Sequence, residues 1–218
     1  MTPEEIAADA VAAVAAGAGA VHVHAKDADG IDTLDGDTVD RTVAAVRAAA
    51  PDTPVGVTTG AWALPDPAQR VTAVRTWRSL PHFASVNWHE AGADDVAAAL
   101  LERGIGVEAG LWHEDAVRAW LASPHRGSCL RVLLEVVEPV GDGLAQADAL
   151  VAALGASAGD TPVLLHGAGS AAWPVLQDAL RRGLDIRIGL EDVLVDVEGL
   201  PTAGNAELVS AARALLPR

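Results

Sequence analysis

Short, nearly continuous apolar runs alternate along this chain with longer Ala-rich amphipathic runs, and no other feature constrains its fold as tightly. The apolar runs are residues 20–25, 55–60, 83–88, 106–111, 130–136, 163–167 and 185–190, and their starts lie roughly 22 to 35 residues apart. That interval is the length of one strand, one helix and their loops. Runs that are apolar at successive positions fit strands covered on both faces, as in a parallel sheet between helices. Strict strand–helix alternation over 218 residues therefore predicts one α/β domain, residues 1–218, with no room for a second.

The helical runs carry their own punctuation. Thr2-Pro3-Glu4-Glu5 combines a capping Thr, Pro in the first turn and Glu three residues on, and Gly17 closes the helix it opens. Val39, Val43 and Val46 share one helical face after Asp37, and Asp66-Pro67 opens a helix carrying Val71 and Val74. Gly104 and Gly183 stand where helices end. Leu208, Val209, Ala212 and Leu216 form the stripe of a last helix. The reading gives seven strands and eight helices, beginning on a helix. A (β/α)8 TIM barrel begins on a strand, so the expectation is a barrel of this type lacking its first strand, or else an open sheet. Runs 20–25 and 185–190 would flank the gap with unpaired backbone, which predicts either a strand supplied from upstream or a homo-oligomer joined at that edge.

Composition excludes several roles. A formal net charge of −15 and a pI near 4.6 repel phosphate backbones and anionic lipid, so neither nucleic acid nor membrane is an expected partner. An anionic small substrate would need a local cationic centre. No apolar run has the length of a membrane span, and the acidic N-terminus has neither the basic nor the apolar region of a signal peptide. The lone Cys129 has no disulfide partner within the chain and suits a reducing cytoplasm.

Chemistry in a parallel barrel collects at the C-terminal ends of the strands. Here these ends read His22-Val23-His24-Ala25-Lys26-Asp27, Thr58-Thr59-Gly60, Asn87-Trp88-His89-Glu90, Glu108, Glu135, His166-Gly167 and Arg187-Ile188-Gly189-Leu190-Glu191-Asp192. Residues two apart on a strand point to the same side, so His22 and His24 either converge on a divalent metal such as zinc or hydrogen-bond within a polar barrel mouth. Barrel closure brings the last run round towards the first, which makes Glu191 a third ligand and leaves Asp192 beside Arg187 for proton transfer. The plainer reading of Glu191-Asp192 is a loop acid and a helix cap. His166-Gly167-Ala168-Gly169-Ser170 either holds a phosphate on backbone amides or makes a tight turn capped by Ser170. Glu108 lies inside an apolar strand, where a carboxylate is either paired or functional. Trp62, Trp88 and Trp112 stand near strand ends as rim packing.

Three of these blocks together, Thr2-Pro3-Glu4-Glu5-Ile6, His22-Val23-His24-Ala25-Lys26-Asp27 and Arg187-Ile188-Gly189-Leu190-Glu191-Asp192, resemble the β-keto acid cleavage enzymes, also described as 3-keto-5-aminohexanoate cleavage proteins. The resemblance runs over nearly the whole chain. It implies a zinc barrel that reacts a β-keto acid with acetyl-CoA as co-substrate, giving acetoacetate and a new acyl-CoA, with no Schiff base or redox cofactor. Carried over by position, His22, His24 and Glu191 hold Zn2+ or another divalent metal, and Arg187 with Asp192 handles the proton. Thr59, Gly60, Asn87, Glu108, His166 and Lys26 are the strand-end candidates for substrate contact. Lys26 departs from the Arg usual at that position, and the strand that the family places ahead of the T-P-E-E helix is missing from this chain. Two other readings stay open: a Schiff-base lyase or aldolase with Lys26 as nucleophile, and a catalytically impaired paralogue that binds metal or acyl-CoA.

Overall fold

The apolar runs pair side by side in the order in which they occur. The computed structural model describes residues 1–137 and 142–216. Helix α1 (Pro3–Ala15) comes first, with Thr2 and Glu5 forming the reciprocal capping box. Strands β1 (Val21–Val23), β2 (Val55–Thr58), β3 (Phe83–Asn87), β4 (Gly106–Leu111), β5 (Arg131–Val136) and β6 (Val163–Gly167) then form one parallel sheet in sequential order. Parallel neighbours need a crossover, and helices α2 (Gly36–Ala49), α3 (Pro67–Thr76), α4 (Ala93–Glu102), α5 (Glu114–Ala122) and α6 (Gly143–Leu154) supply it. Helices α7 (Ala172–Arg182) and α8 (Asn205–Ala214) follow β6. The sheet curls into a half-barrel with its core between strands and helices, where Val39, Val43 and Val46 of α2 are fully buried. Among the described residues, no helix is long and apolar enough to cross a membrane.

The six strands correct the expectation of seven, because residues 185–190 do not complete a strand. The segment begins as one: Asp185 donates its amide to the Val163 carbonyl (3.0 Å) and accepts from the Leu165 amide (3.0 Å). Beyond that bridge the ladder stops. The Gly189 carbonyl accepts from the amides of Asp192 (2.9 Å) and Val193 (3.0 Å), which folds the segment into a turn. With no strand on its far side among the described residues, the segment has half the usual ladder to gain, and local turn bonds win. The apolar pattern was real, since Ile186 and Ile188 pack against buried clusters.

The open side of the half-barrel is crossed from outside by side chains of the two end helices. Asn205 of α8 donates to Asp9 of α1, and Arg213 donates to the Gly17 carbonyl (3.2 Å). Gly17 has φ +108°, a left-handed conformation that favours glycine. Trp173, Leu176, Val193, Leu208 and Ala212 form a separate apolar cluster that seats α8 on α7.

A buried ion pair fixes the loops after β2 and β3. Arg70 of α3, only 1% exposed, donates to the Glu90 carboxylate and to the Ala91 carbonyl. Glu90 also accepts from the Ala61 amide (3.0 Å) and from Asn87 Nδ2 (3.0 Å). Removing one partner of such a pair strands the other charge, which costs about 3–5 kcal/mol. Urea denaturation of Arg70→Ala should therefore show a loss of that size. A loss below about 1 kcal/mol would mean that the pair does not organise these loops.

Candidate active site

His22 lies in β1 and His24 just beyond it, and alternation sends both rings to the same side, 5.2 Å apart between centroids. The curl of the half-barrel brings Glu191 to them. His24 Nε2 lies 3.1 Å from Glu191 Oε1, and one donor atom from each of His22, His24 and Glu191 lies within 4.8 Å of the others. Two donors at about 2.1 Å on a tetrahedral metal stand about 3.4 Å apart, close to the His24–Glu191 distance, so these three residues could hold a metal ion. His24 Nε2 is also buried without an aligned hydrogen bond, despite its close acid neighbour.

The other nitrogen of His24 is held. Its Nδ1 lies 2.7 Å from Asp32, which also accepts from Lys26 and from Trp62 Nε1 (2.8 Å). Asp32 reaches this position because the chain reverses at Gly30 (φ +79°), pairing Lys26 with Asp32 as an antiparallel bridge. Sequence reasoning passed over Asp32. The signal available was the Asp29-Gly30 turn, which returns the chain to the end of β1. A carboxylate behind a ligand histidine fixes its ring and tautomer.

A second group extends from Glu191 away from the histidines. Arg187 donates to Glu191, and its Nε lies 3.7 Å from Asp192 Oδ2. Fully buried His166 sits between two acids, 3.5 Å from Asp192 Oδ1 and 3.4 Å from Glu135 Oε2. Burial pushes the Asp192 carboxyl above the ordinary Asp value, against the pull of Arg187. Glu135 is also buried, but the His166 ring outweighs that and lowers it. Burial would raise Glu191 too, yet His24 and Arg187 hold it well below the usual carboxylate range. The histidines diverge. Burial, with Arg187 nearby, drives His22 well below 6.5, whereas for His24 the effect of burial is overcome by Asp32 and Glu191, which raise it to about 9.

The remaining candidates separate into those that line the central cavity and those that do not. The cavity, about 1260 Å³, is bordered by His22, His24, Lys26, Asn87, Arg187 and the two acids that follow it. It continues through the gap between α1 and the segment after β6. Thr59 does not line it. Thr58 faces the cavity, so its neighbour faces away, and the Thr59 hydroxyl donates to the Ser85 carbonyl (2.7 Å). Gly60 contributes space, since a Cβ there would lie 2.3 Å from the Trp62 ring. Trp62 in turn stacks 6.0 Å from His24 and 6.2 Å from Trp112, while Trp88 is buried and donates to Asp94 (3.2 Å). Glu108 and His166 lie behind the cavity wall, with Glu108 accepting from Ser85 and Arg131. In the turn after His166 the amides of Ala168 and Gly169 are committed to Val136 (2.9 Å) and Asp192 (2.7 Å), which removes two donors from a phosphate cradle. Ser170 does not cap α7, whose N-cap is Ala171.

The fold has known counterparts. Structures of ObcA superpose with a TM-score of 0.77 in the binary complex with oxaloacetate, at 20% identity over 98% of this chain and 62% of that one. The ternary complex of ObcA with a C4-CoA adduct and oxalate gives 0.78 at 19% identity, with the same coverage of 98% and 62%. This chain thus spans about three-fifths of the length of ObcA. A type I 3-dehydroquinate dehydratase from Clostridium difficile, with covalent modified comenic acid, gives 0.65 at 13% identity over 98% of this chain and 88% of that one. No curated protein sequence matches the chain. The family model of the beta-keto acid cleavage enzymes matches residues 1–218, the full length, and the chain belongs to that family.

Proposed function

We propose that the chain converts a β-keto acid and acetyl-CoA into acetoacetate and a new acyl-CoA at a divalent metal centre formed by His22, His24 and Glu191. The observation that carries this reading is the convergence of those three donors, within 4.8 Å, beside the Arg187–Asp192 pair. Two imidazoles and one carboxylate suit zinc and leave a coordination position open. When bound there, zinc would supply Lewis-acid polarisation of a keto oxygen.

The chain's own residues supply the rest. Lys26 and Arg187 border the cavity but are paired with acids, so the local cationic centre that an anionic keto acid needs would come from the divalent ion, with Arg187 beside it. Asp192 is the proton carrier. Burial raises its proton affinity above the ordinary Asp value, and Arg187 Nε stands 3.7 Å from its Oδ2. It takes a proton from the methylene between keto and carboxylate groups, and the carbanion displaces CoA thiolate from acetyl-CoA. The thiolate attacks the original keto carbon, and cleavage of the C–C bond there releases the new acyl-CoA and the acetoacetate carbanion, to which Asp192 returns the proton. The exchange is then balanced in protons and needs no redox partner. Lys26 is engaged with Asp32 and acts as a support for His24, which favours the metal reading over a Schiff base. The outer edge of β1 has no strand partner among the described residues, and either a strand supplied from upstream or a second copy of the chain would cover it.

Mass spectrometry on a panel of β-keto acids with acetyl-CoA tests the reaction directly. The expected result is acetoacetate with a matching acyl-CoA, lost on chelation and restored by zinc. Turnover indifferent to chelation, with borohydride trapping a keto acid on Lys26, would replace this reading by the Schiff-base one.

Asp192→Asn should retain stoichiometric zinc and lose turnover by at least about 10²-fold, since a base is removed and no ligand is. Glu191→Gln should instead weaken zinc binding first, as measured by chelator competition, and lose turnover in proportion to the metal lost.

The raised His24 value sets a pH dependence. Its folded-state value of about 9 exceeds the ordinary 6.5, so the protonated ring stabilises the metal-free protein below about 6.5, and that contribution is lost as pH rises through about 9. A ligand histidine must be neutral. Zinc binding near pH 7.5 should therefore release about one proton per ion, with affinity rising about tenfold per pH unit and levelling above about 9. Calorimetry in buffers of different ionisation enthalpy would measure this, and release of no proton would remove His24 from the ligand set.

A further inference from the structure

We propose that Glu108, acting through Ser85, is a positioning residue for His22, locking its imidazole with the hydrogen on Nδ1 and leaving Nε2 free to bind a metal. The strand register builds this support. Ser85 of β3 is level with Glu108 of β4, and Glu108 with Arg131 of β5, so the three form one polar row across adjacent strands. Arg131 donates through Nε to Glu108 Oε2, and its guanidinium lies 4.6 Å over the Phe83 ring. Glu108 is 1% exposed and does not border the cavity, so it acts on neighbours rather than on a substrate.

A count of hydrogens then fixes the histidine. Arg131 has donors only, and the Glu108 carboxylate that it faces only accepts. Ser85 has a single hydroxyl hydrogen, and its Oγ donates to Glu108 Oε1 at 2.5 Å. What Ser85 offers in the other direction is a lone pair, facing His22 Nδ1 at 3.4 Å. That contact is favourable only if Nδ1 carries the hydrogen. His24 is held by the same parts in the same order, a cation (Lys26), a carboxylate (Asp32) and the ring Nδ1, with no hydroxyl between. Both ligand histidines thus point the same nitrogen outward, each fixed from behind by its own ion pair. The lonely carboxylate inside an apolar strand is explained by this role.

The tautomer itself is independent of any metal, while its effect on binding rests on the metal reading above, and one set of variants separates the two. In the metal-free protein, 15N-resolved NMR of the imidazoles should show His22 hydrogenated at Nδ1. Ser85→Ala should mix the tautomers and weaken zinc affinity about 10–100-fold, the usual effect of losing such a support, and Ser85→Thr should restore both. Glu108→Gln keeps the hydroxyl but can donate an amide hydrogen to Ser85, turning the hydroxyl hydrogen towards His22 and raising the Nε2–H form. A wild-type His22 hydrogenated at Nε2, or a Ser85→Ala protein with unchanged tautomer and affinity, would overturn the proposal. A wild-type protein with the expected tautomer and no zinc binding would support the lock and overturn the metal reading alone.

Discussion

The contact between His24 and Glu191 joins two parts of the sheet that no backbone ladder holds together. β1 is the first strand of the half-barrel, and the segment carrying Glu191 leaves the sheet after a single bridge beside β6. Everything proposed for the site depends on these two edges meeting. The curl of six sequential parallel strands brings them close, and side chains do the rest. Asp9 with Asn205, and Gly17 with Arg213, tie α1 to α8 across the gap from outside, while His24, Glu191 and Arg187 meet within it.

The electrostatics follow from crowding acids into that closure. Asp32, Glu135, Glu191 and Asp192 all border the cavity, against Lys26, Arg131 and Arg187. Each cation is committed to an acid, and Arg187 to two. The separation of proton affinities comes from this allocation. His24 gains two carboxylates that outweigh its burial and holds its proton, while His22 is lowered by burial, with Arg187 nearby. Asp192 differs from Glu191 in the same way, since the histidines and Arg187 act on Glu191 while burial dominates for its neighbour.

How much of this was legible in the sequence depends on whether the deciding interaction was local. Helix starts and strand positions were, because capping at Thr2 and Asp66 and two-sided burial leave their marks within a few residues. The His22–His24 pair was legible from the period of a strand, and Glu191 only by assuming closure. The seventh strand failed because a strand needs neighbours, and the run at 185–190 has one for a single bridge. Thr58 borders the cavity and Thr59, one residue on, turns its side chain to the other face, a difference that alternation without the register does not decide. Asp32, Ser85 and the Arg70–Glu90 pair were invisible because their roles come from chain reversal, register and long-range contact.

Splitting the proposed ligand set between β1 and the segment after β6 has a physical consequence for the protein as a whole. In a closed barrel the ladder fixes the distance between strand ends, and side chains near them are placed as a by-product. Here that distance is set by α1–α8 contacts and by charge, so the site and the closure are one structure. Without a cation, the closure still has an attractive component, because the high proton affinity of His24 keeps a positive ring against Glu191 near neutral pH. A divalent ion between the same atoms, as proposed, would replace one proton by two charges and add His22, which burial holds well below the ordinary histidine value, to the set. Binding there favours the closed arrangement by mass action, since an open edge would present the ligands apart. The polar row behind His22 and the Asp32 pair behind His24 matter for the same reason. They hold two of the three donors rigid on the β1 side, so closure requires only that Glu191, steadied by Arg187, arrive at a site already formed.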